Sequence, residues 1–521
     1  MKKNLIAMSV VTALATTSFA SDMNKEMYNQ IQALKAQIEA LEKKVAQQEA
    51  KDKEAQKAVT NVAPTQQKVA VDEKRIENIE KKLETVSKTA TTAKIQSAQD
   101  NIKWDVDFRT QVDNIQYKHA DGSHSKNKAL MTNRLWLGAK YKADDNSSFF
   151  GKLSYNKAFG ERVKGNNTNY DEFNWVTNEN ANDDDIKLKE AYWLYQNERL
   201  FSSDIPWSVS VGRRPSTDGL PINIRNNQQP NSPLSHTIDV EFDGFSFKLD
   251  TEGVTGFTGS WLKICGGRGL TNATPRFDMA TANTNGGYST NDSQEIDDID
   301  MLGLIYVPYD DGQYSVHMQY SHAWNLIGFD GQSLEDYKNL GTEPSFKDMG
   351  DIDLATILFK TEGIGNGISD YLDNTTAFAS FAMSKTNPNS KGMLGTTDSQ
   401  TGYSVWLGVN APCPILPDSA KIGFEWNQGS KYWRSMTYGE DTYAGSKIAT
   451  RGQAFEVYRT QKLTEALSFG VSYVYIDYDY TGSNSFFGAD GKPMSMSDAQ
   501  ANGQNPVKEA QDIRAYMRYK F

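Results

Sequence analysis

Cysteine and histidine are scarce: two cysteines, Cys265 and Cys413, and five histidines in 521 residues. No CxxC pair and no HExxH run occurs, which removes the zinc-ribbon, thioredoxin-like and zincin motifs. Long apolar runs are missing too. Mean hydropathy is −0.62, and a bundle of membrane helices would need several stretches of about 20 apolar residues. Charge of positive sign is in deficit, with a net −11 at pH 7, which argues against nucleic acid as the main partner. No catalytic residue, metal-ligand set or cofactor is expected. The acidic runs at Asp183–Asp185 and Asp297–Asp300 lack EF-hand spacing and read as solvated loop charge.

What is abundant is aromatic surface, with 25 Tyr, 23 Phe and 10 Trp in so polar a chain, and strict alternation. In the last residues, AQDIRAYMRYKF, Ile513, Ala515, Met517, Tyr519 and Phe521 share one parity. Arg514, Tyr516, Arg518 and Lys520 share the other. That period of two is a strand with an apolar and a polar face. An aromatic at its end, Phe521, suits a strand that stops at a lipid interface. A barrel whose strands alternate apolar-out and polar-in keeps average hydropathy low while spanning a membrane.

Residues 1–20 read as a secretory signal: Lys2 and Lys3, an apolar stretch from Leu5 to Leu14, then Ser18-Phe19-Ala20 at the cleavage positions. No cysteine follows, so no lipid anchor is indicated. Residues 21–100 change character. Ile31, Leu34, Ile38, Leu41 and Val45 alternate spacings of three and four, the pattern of a coiled-coil core. Pro64 breaks the helix, and a second heptad follows at Ile76, Ile79, Leu83 and Val86. An intermolecular coiled coil, a helical hairpin turning at Pro64 and a solvated tether all fit this pattern.

From 101 to 521 the expectation is an all-β transmembrane barrel of about sixteen antiparallel strands, an even number as bacterial barrels require. Strands begin with Ile102–Arg109 and end with the terminal one. Between them lie alternations such as Phe245, Phe247 and Leu249; Phe257 with Trp261; and Leu467 to Tyr475. Long connections (118–129, 160–184, 214–238, 266–297, 325–350, 385–401, 429–451, 481–509) alternate with short ones, such as Asp144-Asp145-Asn146 and Asp310-Asp311-Gly312. Long outer loops against short periplasmic turns is the arrangement of outer-membrane barrels. It puts the helical segment in the periplasm. Loop 266–297 or 429–451, the latter with Tyr432 and Trp433, could hold one more pair and give eighteen strands. Cys265 is placed near the outer rim and Cys413 in an inner turn, too far apart for a disulfide.

A barrel of this size encloses an aqueous channel whose lining charges set selectivity. The connection after the fifth strand carries Arg213, Arg214, Asp218, Arg225 and His236, and is stiffened by Pro215, Pro221, Pro230 and Pro233. It is the candidate constriction loop, with an exposed surface loop as the alternative. If apolar residues face lipid, then Arg109, Arg134, Lys140, Lys152, Arg514, Arg518 and Lys520 line the lumen as a basic wall. Such a wall would favour anions. Asp105, Asp107 and Asp113 share it, so neutral ion-pair ladders are the competing outcome. His317 and His322, with Ser315 and Ser321 near, arrange no triad. An energy-driven transporter would need about 22 strands and a globular plug.

Signal, heptads, even-stranded barrel and terminal Phe521 together resemble the coiled-coil-bearing porins of Gram-negative outer membranes. GRRPSTDGLP, Gly212 to Pro221, also resembles a segment of an uncharacterised, domain-of-unknown-function family of porin-like proteins. The resemblance implies outer-membrane lipid around the barrel, passive diffusion of small hydrophilic solutes and ions, homotrimers, and recognition of the last strand by the barrel assembly machinery. The competing functional class is structural: a barrel that anchors a coiled coil reaching toward peptidoglycan.

Overall fold

The computed structural model describes residues 102–160, 186–271, 296–329, 341, 346–365, 367–437, 442–483 and 491–521. The barrel lies within the unit Gln96–Phe521. The signal and the heptad positions Ile31 through Val86 lie outside the described residues.

Sixteen antiparallel strands close on themselves. They are β1 (Ile102–His119), β2 (His124–Lys142), β3 (Ser147–Ala158), β4 (Lys187–Asn197), β5 (Trp207–Arg213), β6 (Asp243–Asp250), β7 (Trp261–Leu270) and β8 (Ile299–Asp310). The second half comprises β9 (Tyr314–Trp324), β10 (Gly350–Glu362), β11 (Thr376–Pro388), β12 (Thr401–Pro412), β13 (Ala420–Gly429), β14 (Gly452–Lys462), β15 (Leu467–Tyr478) and β16 (Val507–Lys520). Each strand pairs with its sequence neighbours, and β16 pairs with β1 to close the ring. The terminal Phe521 extends that seam, exchanging both backbone hydrogen bonds with Val106 at 2.9 Å. Among the described residues no helix is long and apolar enough to cross a membrane.

The outer face explains the aromatics. Phe108, Phe149, Leu188, Val211, Phe245, Ile264, Phe359, Phe424, Val471 and Ile513 are exposed large apolar side chains, as a lipid-facing belt requires. Trp193, Tyr195, Trp207 and Phe247 run side by side across β4, β5 and β6 at the short-turn end, with ring centroids 5.5–6.2 Å apart. Phe381 and Tyr403 stack at 5.9 Å toward the opposite rim. Two aromatic girdles bounding an apolar band is the signature of an outer-membrane barrel.

Several expectations need correction. Residues 118–129 are not a long loop. The β1–β2 ladder continues past Ile115, through Tyr117 opposite Ser125 and Lys118 opposite His124, and only 120–123 connect the strands. Apolar alternation stops there, but backbone pairing needs no apolar residue and runs on. Phe257 sits exposed in the turn before β7. Cys265 is mid-strand in β7 rather than at the rim, and both cysteines are free thiols. The eighteen-strand alternative falls, because the ring closes with sixteen and β7 pairs directly with β8, and β13 with β14, leaving no room for another pair in either loop; 430–437 and 442–451 turn inward. Trp433 is fully buried, its indole donating to the Ile448 carbonyl at 2.8 Å.

The assumption that apolar residues face lipid holds on β1, β2, β3 and β16 but fails on β8 and β10. There both parities are apolar, and Ile299, Met301, Ile352 and Leu354 are buried on the inner face. They pack with Ile238, Val240, Phe242, Leu326, Met349 and Met436. An apolar core thus sits inside the barrel, where inward-folding segments cover that wall.

A loop that crosses the lumen

The connection between β5 and β6, residues 214–242, folds into the barrel and reaches the far wall. Its root is tied by charge. One extra residue in β4, at the register shift opposite Lys152 and Leu153, turns both Lys189 and Glu190 inward, a β-bulge re-aiming a side chain. Lys189 donates to Glu241 at 2.9 Å and to Thr217 at 3.0 Å. Arg213 reaches the other Glu241 oxygen at 3.3 Å and Asp243 at 3.4 Å. Burial pushes the Glu241 carboxyl up while the Lys189 and Arg213 cations pull it back.

The middle of the loop knits to itself. The Asp218 backbone N–H donates to Asp239 at 2.8 Å, and its carboxylate accepts from Asn226 at 3.0 Å. Gly219 passes so close to Pro233 that a Cβ would stand 1.9 Å from the Pro233 carbonyl; no side chain fits there. A short helix, α1 (Ile222–Asn226), forms the tip.

The tip and the return limb dock on strands far round the ring. Arg225 contacts Glu456 on β14 at 3.0 Å and Glu425 on β13 at 3.4 Å. β5 and β13 stand half the ring of sixteen apart, so the loop crosses the full bore. The Arg518 guanidinium, on β16, donates to the Asn226 carbonyl at 2.7 Å. His236 is fully buried, with Nδ1 2.7 Å from Ser380 Oγ and Nε2 2.9 Å from Ser404 Oγ. It lies edge-on to Trp406 and Trp433, with centroids 5.7 and 5.8 Å away. Burial pushes this histidine, carried by the loop outside the spanning strands, down to about 3, so it is neutral at pH 7. Gln319 on β9 and Thr356 on β10 complete the seat through Leu234 and Thr237.

A second segment meets the first. Ile238 and Met436 form a parallel bridge, with Asp239 N–H to the Met436 carbonyl at 2.7 Å and Met436 N–H to the Thr237 carbonyl at 2.9 Å. Lys447, fully buried, donates to Glu425 at 2.9 Å and also contacts Glu456. Tyr443 accepts a hydrogen bond at its carbonyl from Tyr117 and lies 4.8 Å from the Arg514 guanidinium.

Of the residues singled out from sequence, Arg214, Asp218, Arg225 and His236 fall on this one connection, and Arg213 is the last residue of β5, at its root. Arg109, Arg134, Lys152, Arg514 and Arg518 project inward from β1, β2, β3 and β16, but most are matched by carboxylates. Arg514 holds Asp113 at 2.6 Å. Arg518 grips Asp107 through two nitrogens, one at 2.8 Å, and Arg134 lies 3.9 Å from the same carboxylate. Lys152 pairs with Glu190 at 2.5 Å. Arg134 also stacks on the inward Trp136 ring at 3.7 Å, which Lys189 approaches at 4.8 Å. Arg109 faces the Tyr516 ring at 5.8 Å and Lys140 the Phe150 ring at 4.9 Å. Lys520 stands at the exposed end of β16. The wall is therefore largely a ladder of ion pairs. His317 points inward to Ser315 at 3.0 Å, whereas His322 points outward to Asp353 at 2.8 Å; they lie on opposite faces of β9.

Sequence reasoning did not single out Lys189, Glu241, Glu425, Lys447 and Glu456. Glu425 and Glu456 are each flanked on the buried parity by uncharged residues, Gly423 and Asn427, and Ala454 and Tyr458, and that isolation was the available signal for those two.

Fold and site together define the class: a closed, sixteen-stranded barrel of the outer-membrane type with a loop folded across its lumen. Residues 124–521 match the family model described as "Protein of unknown function (DUF3373)", and the chain belongs to that family. No curated protein matches it. Solved structures similar to it include OmpT, an outer membrane protein of Vibrio cholerae, at 12% identity and TM-score 0.41, covering 81% of this chain and 97% of that one. OprB of Pseudomonas putida is similar at 10% and 0.45, covering 82% and 96%. The anion-selective porin from Comamonas acidovorans is similar at 10% and 0.43, covering 80% and 100%. At such identities and scores the likeness decides nothing about passage or selectivity, which rest on the barrel's own geometry.

Proposed function

We propose that this protein is an outer-membrane porin that passes small hydrophilic solutes and ions by passive diffusion, with loop 214–242 as its constriction. One observation carries the reading: a loop rooted on β5 docks half a ring away, at Glu425 and Glu456, through Arg225. A loop pinned at both walls divides the bore and fixes its narrowest section, where lining charges act on permeating ions. Under this reading Arg214, Arg225 and His236 set and hold the constriction. An anion preference is the finer part of the proposal. It does not draw on the paired wall of β1, β2 and β16, most of whose charges cancel locally. It draws on cations near β6 and β7 that lack carboxylate partners.

The surrounding assignments follow the same reading. Residues 1–20 direct export, residues 21–100 form a periplasmic coiled coil, and barrels assemble as trimers in outer-membrane lipid after the assembly machinery reads the last strand.

A second reading has its own observation. Two inward segments meet at Ile238 and Met436, which favours a braced, closed barrel that anchors the coiled coil to peptidoglycan. Planar-bilayer recording of the folded full chain separates the two. Stepwise conductance with an anion-directed reversal potential supports the porin. Folded protein without conductance overturns it in favour of the anchor.

A further inference from the structure

Below the crossing loop, toward the short-turn end, lies a cavity of ≈ 430 Å³ bounded by β4 through β9, the end of β10, and the loop itself. That volume lies within the usual range for small-molecule sites. Four cations line it, Arg214, Lys248, Lys263 and Lys360, against one carboxylate, Asp310.

The arrangement is costly as it stands. Lys248 and Lys263 are direct cross-strand partners on the inner face of the β6–β7 hairpin, and like charges placed so repel. Among the described residues neither makes an ion pair. Lys263 donates to the Ser232 hydroxyl at 2.6 Å, and Lys248 sits 4.4 Å from the Trp261 ring. The guanidinium of Arg214, brought in by the loop, makes no ion pair among the described residues either, and its buried Nε has no hydrogen-bond partner among them. Lys360 is offset by Glu362. Across the same lumen, Arg514 and Arg518 each have an aspartate. Three cations from three elements thus converge on one cavity with buried donor capacity left over.

Resting on the porin reading, we propose that this cavity is a solute-binding site for a small, multiply charged oxyanion, with Arg214, Lys248 and Lys263 as its ligands. A halide offers one acceptor centre to these donors, whereas an oxyanion presents several acceptors. The apolar lining at Leu194, Leu220 and Ile305 leaves room for an organic body, so inorganic phosphate and a short dicarboxylate are the two sources of this chemistry.

The test is a calorimetric titration of the detergent-folded full chain with phosphate and, separately, malonate, in constant excess chloride. Saturable binding of either, weakened at least tenfold by Lys263→Met in protein that retains its folded electrophoretic mobility, is expected. Phosphate binding alone assigns the site to phosphate-bearing solutes, and malonate alone to dicarboxylates. Binding unchanged in Lys263→Met, or absent for both anions, overturns the site. Should Lys263→Met not fold, Lys248→Gln serves the same purpose. Bilayer recording keeps the readings apart: no conductance overturns the porin while the isotherm still judges the site, and conductance without saturable binding overturns the site alone.

Discussion

Two basic walls face each other inside this barrel. On β1, β2 and β16, arginines are met by Asp107 and Asp113, which share the inner face. On β6 and β7, Lys248 and Lys263 oppose one another with no carboxylate in ion-pair contact, and Arg214 joins them from the loop. The first wall has more cations, yet contributes a weaker net field than their number suggests, because most of them are matched by carboxylates within a few ångströms. The second has fewer but leaves them uncancelled. Pairing, rather than the number of basic residues, decides what a permeating ion meets.

This contrast can be broken by substitution. Asp113→Asn removes the carboxylate that Arg514 holds at 2.6 Å and leaves it Asp512 at 4.0 Å; losing one member of a buried pair costs about 3–5 kcal/mol. The folded, fast-migrating electrophoretic form should disappear at a markedly lower temperature, and the reversal potential should move toward anions. An unchanged melting temperature would mean that the ladder is not formed. Arg225→Ala removes charge-assisted bonds to Glu425 and Glu456, each worth about 1.5–3 kcal/mol, although Lys447 retains part of the seat. Single-channel conductance should rise as the loop tip loosens, with the barrel's melting temperature nearly unmoved.

A pH titration sharpens the comparison without mutation. His236 in its seat has a pKa of about 3, below the unfolded value near 6.5. The undocked state therefore binds the proton more readily, and docking weakens as pH falls from about 6.5 toward 3. At pH 5 the loss is about 2 kcal/mol. Loop-limited conductance should change over that window in the wild type and stay flat in His236→Gln. The smallest effect carries the opposite sign. Lys263→Met relieves a like-charge pair, so stability should hold or rise by up to about 1 kcal/mol, while selectivity moves toward cations. Loss of stability comparable to that of Asp113→Asn would erase the distinction between the walls.

All sixteen strands were legible because lipid imposes an apolar outer parity that a period of two exposes, as in Leu467 to Tyr475. The loop after β5 was legible through its prolines and clustered arginines. The pairing was not. Asp107 sits directly opposite Lys520, and Arg518 opposite Arg109; the Asp107–Arg518 contact runs diagonally, and such contacts depend on side-chain reach as much as on register. The inner faces of β8 and β10 misled for a different reason. Ile299 to Val307 is apolar on both parities, so alternation cannot say that one face meets lipid and the other an internal core. Lys248 and Lys263 could have been found: each is a single basic residue in an apolar stretch, FSFKLD and WLKIC, joined by a short turn that fixes their register.

The seam between the first and last strands has a consequence for how the ring closes. Arg514–Asp113 and Arg518–Asp107 each span β16 and β1, so neither pair exists until the two chain ends meet. A slip of one residue would send every β16 side chain to the opposite face, carrying both guanidiniums into hydrocarbon, taking Arg514 from Asp113 and leaving Asp107 the more distant Arg134. The seam thus works as a proofreading lock: the correct register buries its charges together, while the nearest wrong one pulls them apart.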